Sequence, residues 1–576
     1  MGTNLRSYAR LRFFTREETI VLDSEVNNDI LSITTQKSIG NSSDGFSISL
    51  SPRIIKSQNS ALGTYFLSDL IKPYDLVEIS FKTGEEGYKV EMIGVVARAS
   101  GSLNVTEKGT PVRSLDIMGY GIIRILQSCK LFFNPYGLYT EEEKFNGIGG
   151  APYFNSEKGK ALLESKNVSE FIKALVAATF TDSFNGINNS PFFGVVFGYR
   201  GLEKRTGDTT VNNTQGLKLN NILDMQGGIT TLFTENKINN PGFLTNIEAG
   251  TPKSIWELLM TYTDPPFHEC FIDLRRKGTY YYPDNDGSLG PANKPKPVEY
   301  FDPVRAEASS LVGNDIGFPP LVLYVRTLPF SPDTWDNLNY HVFSTSDVIS
   351  QETSTSEENI FNYYITMCSL DSTVLGNPQM VAIAAESNDN TLRRSRVPIY
   401  DTESILKYGL RAFPMQLTKF VSFIYSSPEG VHRAGNPTSI DVTKPCCTLT
   451  RQLLRWFAYG EEFETGTISL KGRVGGGPSG ISLGSRLVEA LPSGALTGKE
   501  FYIEGVTQHW KLGLPLRTSA IVTRGHFPND YIDKVTGDRK EGRFSRVNKL
   551  CDTLRISQKI EGNDKLFSKI EPVDFE

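Results

Sequence analysis

The stretch from Arg16 to Asn134 confines this chain to a sheet-based fold. Short apolar runs recur there: Ile20-Val21-Leu22, Ile30 to Ile33, Phe46 to Leu50, Leu76 to Phe81, Val90 to Val96 and Ser114 to Tyr120. Leu76-Val77-Glu78-Ile79-Ser80-Phe81 largely alternates, as a strand with one face on a core must, because successive side chains point to opposite faces. Gly40-Asn41, Asp44-Gly45, Thr83-Gly84, Gly101 and Gly109 separate the runs. Regular strands with turns between them predict a small barrel or sandwich. Ser60 to Ile71 reads as one short helix ending before Pro73, and Gly121 to Cys129 as a second.

A second organising stretch runs from Phe267 to Asn362. Phe267 to Arg275 and Leu321 to Phe330 are β-branched and aromatic runs flanking a turn-rich spacer, which predicts a hairpin with an elaborated loop over Lys277 to Pro320. Pro329 stops the second run. Ser350, Ser356, Glu357 and Asn359 form a polar run before Phe361-Asn362-Tyr363-Tyr364. Ser254 to Tyr262 reads as an amphipathic helix with a serine cap, ended by Pro265-Pro266.

Between these stretches, Pro135 to Pro252 is loop-rich apart from a predicted helix over Ala161 to Thr179, and reads as an insertion. From Asp347 to Leu454 short strands and helices mix, with Leu417 to Ser426 read as helical. Thr467 to Gly472, Ile481 to Val488, Phe501 to Trp510 and Arg517 to Gly525 return to β, the last two pairing across Leu512 to Pro515. The tail from Asn529 is charged and carries a sparse apolar set (Leu550, Leu554, Ile556, Ile560, Leu566, Ile570) that suggests a partner.

With 576 residues the chain exceeds one ordinary core, so three to five domains are expected, roughly. The 34 Phe, 24 Tyr and 51 Gly favour strands and turns over helical bundles. A net charge of −5 without a Lys/Arg block argues against nucleic-acid binding. No apolar run reaches the roughly 18 residues of a membrane span. Met1 to Arg10 lacks the apolar core of a secretory signal, which implies folding in a cytoplasm. Cys129, Cys270, Cys368, Cys446, Cys447 and Cys551 contain no Cys-x-x-Cys and read as buried free thiols.

No catalytic, cofactor or metal constellation emerges. His268, His341, His432, His509 and His526 contain no His-Glu-x-x-His, and neighbours such as His268 and Glu269 on a strand face opposite ways. Gly475 to Gly480 matches Gly-x-Gly-x-x-Gly on paper, but Pro478 interrupts it and a strand follows, so a hairpin loop is expected. Gly494 to Lys499 lacks the phosphate-loop spacing, and Glu500 stands where Ser or Thr is needed. Gly480-Ile481-Ser482-Leu483-Gly484 fits Gly-x-Ser-x-Gly but lacks the strand-to-helix context of a nucleophile elbow; Ser482 reads as a strand start. Asp284-Asn285-Asp286-Gly287 lacks the later bidentate Glu of a calcium loop. Glu141-Glu142-Glu143 reads as a solvated helix start.

The order of elements nevertheless carries a resemblance. An N-terminal β region ends in Gly119-Tyr120-Gly121, and the Phe271-x-Asp273-x-Arg275 arm follows. Then come Arg326-Thr327-x-Pro329-Phe330, the run before Phe361-Asn362-Tyr363-Tyr364, and Ile405 to Arg411 with Tyr408-Gly409-Leu410-Arg411. Leu470-Lys471-Gly472-Arg473, Phe501-Tyr502-Ile503-Glu504-Gly505-Val506-x-x-x-Trp510 and Thr523-Arg524-Gly525 complete the series. This resembles the baseplate hub proteins of contractile phage tails and related injection systems, the late-control-protein-D-like family that includes the T-even hub. Pro135 to Pro252 and Lys277 to Pro320 are longer than the family core.

The resemblance implies a mainly β fold with α+β insertions. Each subunit would give two tail-tube-like β-barrel domains, and three subunits a pseudo-sixfold ring between the sixfold tail tube and the threefold central spike. The implied division is residues 1–134 for the first barrel, 135–252 for an insertion, 253–345 and 466–528 for parts of the second barrel, 346–465 for a connecting domain and 529–576 for a partner-contacting extension. The implied partners are two further copies in a homotrimer, the tail tube protein, the spike, baseplate wedge proteins and the tape measure protein. DNA or cargo would pass through a polar, mildly acidic bore without specific binding, in a virion tail baseplate assembled in the host cytoplasm. A bacteriocin, secretion-type or noncontractile tail hub is an alternative within the same fold. A tail-associated cell-wall hydrolase centred on Ser482 and a carbohydrate-binding decoration in the insertion are alternatives of other classes.

Overall fold

A computed structural model describes residues 6–15, 19–39, 44–51, 54–56, 64–84, 87–105, 111–128, 130–131, 223–225, 253–262, 268–274, 321–336, 338–368, 399–417, 450–472, 481–490, 496–532 and 536–560. The N-terminal part comprises β1 (Ser7–Phe14), β2 (Thr19–Asp23), β3 (Ile30–Ser38), β4 (Gly45–Leu50), β5 (Ile54–Lys56), β6 (Thr64–Phe66), α1 (Leu67–Leu70), β7 (Leu76–Thr83), β8 (Lys89–Val105), β9 (Pro111–Gly121) and α2 (Ile123–Ser128). The middle adds β10 (Lys130–Leu131), β11 (Leu223–Met225), β12 (Lys253–Ser254), α3 (Ile255–Tyr262), β13 (His268–Leu274), β14 (Leu321–Thr327), α4 (Pro332–Asp336), β15 (Tyr340–Ser344), β16 (Val348–Thr355), β17 (Tyr363–Cys368), β18 (Ile399–Tyr400), α5 (Thr402–Tyr408) and β19 (Ala412–Leu417). A helix over 450–457, α6, leads to β20 (Glu464–Lys471), β21 (Arg486–Ala490), β22 (Leu496–Lys511), β23 (Arg517–His526), β24 (Tyr531–Ile532), β25 (Arg539–Lys540) and α7 (Arg543–Ile560).

One 13-stranded sheet dominates, in the order β16-β20-β23-β22-β3-β4-β9-β8-β7-β1-β2, with β21 on β22 and β15 on β21. All its pairings are antiparallel except β15 with β21. β1, β4 and β23 alternate between a buried and a more exposed face, whereas Leu76 to Phe81 of β7 is buried on both. Ile33, Ile48, Ile79, Ile117 and Trp510 close one core; Ile468, Leu470, Val506 and Val522 close another, with Phe271 and Tyr324 stacked over it. Phe330, Trp335, Tyr364, Trp456, Tyr502 and Phe544 form a third. Chain and sheet are thus mainly β with few helices. Among the described residues no sheet closes on itself, so the barrels expected from the family resemblance are here an open sheet.

Several expectations hold in detail. α2 falls within Gly121 to Cys129. α3 starts with a reciprocal cap, in which the Glu257 N–H donates to Ser254 Oγ (3.1 Å) and the Ser254 N–H to Glu257 Oε2 (2.7 Å). The hairpin of β13 and β14 pairs from His268 with Thr327 to Leu274 with Leu321. It does not enter the large sheet, however, but forms its own three-stranded sheet with β11.

Other expectations need correction. Ser60 to Ile71 is not one helix: Thr64-Tyr65-Phe66, β-branched and aromatic, form β6, and a single turn follows. Ile481 to Ser485 form a turn, with Gly484 at φ 65°, and the strand begins at Arg486. The polar run around Ser350 is a strand, β16, exposed on both faces and so without alternation. Leu417 ends a strand instead of starting a helix. Phe544 and Val547 of α7 are buried in the chain's own third core, and Leu550 packs against it; the side chains of Leu554, Ile556, Ile560, Leu566 and Ile570 lie outside the described residues. The 161–179 helix, the rest of Leu417 to Ser426, the Lys277 to Pro320 loop, Glu141 to Glu143, Asp284 to Gly287, Gly475 to Gly480, His432, Cys129, Cys446 and Cys447 lie outside the described residues.

Candidate assembly site

The large sheet is a strand pattern written twice. β3-β4-β9-β8-β7 and β16-β20-β23-β22-β21 have the same neighbours, in the same sequence order, with the same antiparallel senses. Two of their irregularities coincide, although β20 on β23 and β22 on β23 carry further slips of their own. The ladder of β3 on β4 slips between Ile30 and Ser32, opposite Leu50 and Ser49, and that of β16 on β20 slips between Val348 and Ser350, opposite Leu470 and Ser469. β8 bulges on β9 between Val96 and Arg98; β22 bulges on β23 between Ile503 and Gly505. A bulge needs one extra residue at one place, so matching bulges fix the correspondence residue by residue.

The turns entering the third strand of each set match as well. Tyr74 and Gly484 are both left-handed, at φ 70° and 65°. The Tyr74 N–H donates to Val96 O (2.7 Å) and the Gly484 N–H to Ile503 O (2.9 Å). In return the Val96 N–H donates to Asp75 O (2.8 Å) and the Ile503 N–H to Ser485 O (3.0 Å). Ile48-Ser49-Leu50 and Ile468-Ser469-Leu470 occupy equivalent places in sequence as well as in structure.

The repeats meet where β22 pairs with β3, from Gly505 with Ser38 to Lys511 with Ser32. Further backbone bonds extend the seam at each end, from the Ile39 N–H to Glu504 O (2.8 Å) and from the Leu512 N–H to Leu31 O (2.9 Å). On the outward face Thr34 Oγ1 and His509 Nδ1 share a hydrogen bond of 3.1 Å. Burial and the nearby Arg517 cation push the His509 pKa down. On the inward face each repeat reaches into the other. Trp510, from the second repeat, lies in the first core. Lys37, from the first, donates to Asp273 Oδ1 at 2.7 Å beside the second core, with both side chains buried. Asp44 accepts from the Ser38 N–H (2.8 Å), and its pKa rises to about 7, mainly through burial and despite Lys37.

The motifs that carried the family resemblance are clamps. Asn362 is fully buried; its amide donates to Gly409 O (2.8 Å) and accepts from the Arg411 N–H (2.7 Å), tying Phe361-Asn362-Tyr363-Tyr364 to Tyr408-Gly409-Leu410-Arg411. Tyr502 donates to Glu269 Oε2 at 2.6 Å. Phe330 lies under the Arg524 guanidinium, 3.7 Å from its centroid. Arg524 and Arg543 point at the carbonyl end of α6: Arg524 Nη1 donates to Trp456 O (2.6 Å), and Arg543 donates to Arg455, Trp456 and Ala458. Cations are favoured at that end of a helix. Burial lowers their pKa values to about 9 and about 10, still above neutrality.

Ser482 does meet a histidine. His341 Nε2 lies 3.1 Å from Ser482 Oγ, but it also accepts from the Ser482 N–H at 3.2 Å, and both residues are buried. The serine therefore anchors a turn, with no opening to a substrate at its Oγ. His526 is buried against Trp335 and Phe544, and burial with Arg543 pushes its pKa well down. Lys499 is a strand residue ion-paired with Glu464. Cys270 is a buried free thiol whose pKa burial raises, and Cys551 is a free thiol partly buried. Among the described residues no His, Cys, Asp and Glu cluster could hold a metal ion, and no helix is long and apolar enough to cross a membrane. Sequence reading missed the doubling, although the recurrent Ile-Ser-Leu was the signal that could have revealed it.

No family model and no curated protein matches this chain. Among solved structures, it is similar to a tail protein from Neisseria meningitidis MC58, at 9% identity over 89% of this chain and 96% of that one, with a TM-score of 0.37. The 43 kDa tail protein of prophage MuSo2 from Shewanella oneidensis matches at 10% identity over 90% and 98%, with a TM-score of 0.39. A component of the E. coli type VI secretion system matches at 6% identity over 89% and 76%, with a TM-score of 0.29. The structural neighbours are thus phage tail and type VI secretion proteins, and the functional reading below rests on the chain's own geometry.

Proposed function

We propose that this chain is the structural hub of a phage-type tail baseplate, a trimer whose six sheet repeats form a ring joining a sixfold tube to a threefold spike. The observation that carries this reading is the doubled strand pattern, with its matching bulges and turns. A subunit with two nearly equivalent repeats presents sixfold spacing from three copies. Closing the ring would also cover strand edges that otherwise template aggregation. The two repeats differ where they meet other things. β3 and β4 are joined by six residues, 39–44, whereas β16 and β20 are separated by 356–463, with α5, α6 and one small three-stranded sheet. One repeat is thus plain and the other decorated, as a threefold partner requires.

The outward face of the sheet is the proposed bore wall. Ser32, Thr34, Gln36, Ser47, Thr507, Ser519 and Thr523 line its centre. Asp116 and Glu352 share this face with Arg98, Lys471, Lys511 and Arg517 and with the exposed Met118, Tyr120 and Ile521, so the wall is mixed in charge and partly apolar where a mildly acidic bore was expected. The hydroxyl-lined centre of the wall offers a passing polyanion few cations, so few of the polyanion's own counterions are released there. The described part of the chain has no catalytic role in this reading. Light scattering on the purified chain, alone and with candidate tube and spike proteins, tests the proposal: a threefold mass is expected, and a monomer under all these conditions overturns it.

A further inference from the structure

The seam inside the chain is a template for a seam between chains. Within the described residues β16 pairs only with β20, and the second half of β8 pairs only with β9. In the repeat correspondence, β16 is the counterpart of β3 and β8 the counterpart of β22. The strand equivalents that are joined to each other within one chain therefore both present an edge without a strand partner among the described residues, β16 at the end of the sheet and β8 beyond the reach of β7. β16 carries neither Lys nor Pro along Val348–Thr355, the usual guards of an exposed edge.

We propose that the 98–104 segment of β8 in one copy pairs antiparallel with the 350–356 segment of β16 in a second copy, in the register of the intrachain seam; this deepens the hub reading and rests on it. The matching bulges set the register. Gly505 corresponds to Arg98 and Ser38 to Ser356, so Arg98 lies opposite Ser356, Ser100 opposite Ser354 and Ser102 opposite Glu352. The flanking bonds transfer too: the Glu357 N–H would donate to Ala97 O, as the Ile39 N–H does to Glu504 O. Arg98 is exposed and meets the acidic turn of Glu357 and Glu358, also exposed, so the charges at the end of the joint are complementary. Ala99, which packs on the first core, takes the inward place that Val506 has at the intrachain seam.

The test uses the full chain carrying Ser100→Cys with Ser354→Cys, oxidised at concentrations that give the threefold mass. Cross-linked dimers and trimers are expected, and none from Ser100→Cys with Thr353→Cys, which places the second thiol on the opposite face. Hydrogen exchange on the unaltered chain gives a second reading: amides of 98–104 and 350–356 should slow at least about tenfold on assembly. A threefold mass without cross-links or slowed exchange overturns the edge pairing and leaves the hub reading standing. Cross-links equally abundant with Thr353→Cys overturn the register. A chain that stays monomeric and uncross-linked, with tube protein added, overturns both.

Discussion

The indole of Trp510 donates its Nε1–H to Ser7 O, 3.2 Å away, across 503 residues of sequence. Trp510 belongs to the second repeat and Ser7 to the strand that flanks the first, so each half of the sheet is completed by a side chain from the other. Ser7 Oγ donates back to Leu514 O at 3.1 Å, which makes the exchange reciprocal. Trp510→Ala should therefore destabilise the first core by about 3–5 kcal/mol. Hydrogen exchange should show β1, β3 and β4 loosening together with β22. Loosening confined to β22 would mean that the halves fold independently.

The Asp44 carboxyl predicts a pH dependence. Its pKa is about 7 in the folded chain against an ordinary 3.8. The folded state thus holds a proton that the unfolded state has released, so this contribution to stability is complete below about pH 4 and is lost as pH rises through about 7. Asp44→Asn keeps an acceptor for the Ser38 N–H and carries no charge. It should be more stable than the parent at pH 8.5 by roughly 2–4 kcal/mol, and equal to it near pH 4. Denaturant midpoints at the two pH values check this; parallel curves would refute it.

Truncation measures what the start of α7 contributes to the fold. Removing 537–576 deletes Arg543 and Phe544, leaving the carbonyl end of α6 and the rings of Trp335 and His526 uncovered. Such a chain should be recovered largely insoluble. Removing 561–576 alone should leave the thermal midpoint within about 2 °C of the parent. Arg543→Met is the point version, expected to cost about 1–3 kcal/mol by leaving those carbonyls unsatisfied.

Ser482→Ala distinguishes the turn anchor from a nucleophile. A peptidoglycan zymogram of the parent should show no clearing band, and the variant should look the same while losing about 1 kcal/mol of stability. A clearing band abolished by the substitution would install the hydrolase reading.

Phe46 to Leu50 was legible because that strand has one wet and one dry face; Leu76 to Phe81 was legible from its sequence alternation alone, since all six residues are buried, with Glu78 paired to Arg12. β16 was not, because Val348–Thr355 is exposed on both faces and its sequence resembles a loop. The turn at Ser482 was hidden for the opposite reason. Ile481 and Leu483 are both buried, so a turn in the interior imitates a strand. The pairing of β22 with β3 was out of reach: 467 residues separate Ser38 from Gly505, and no local pattern announces a partner at that distance. The assembly surface went unseen with it, since it is defined by what remains unpaired once that seam has formed.

Joining two repeats in one chain also changes how a ring can grow. The seam between β22 and β3 forms at the effective concentration set by the connecting chain, in the millimolar range for short flexible tethers, whatever the concentration of subunits. Half the joints of a six-repeat ring are then complete before any encounter, and three joints remain to be made instead of six. A tail made from few copies per cell gains an assembly rate that single-repeat subunits at the same abundance would lack.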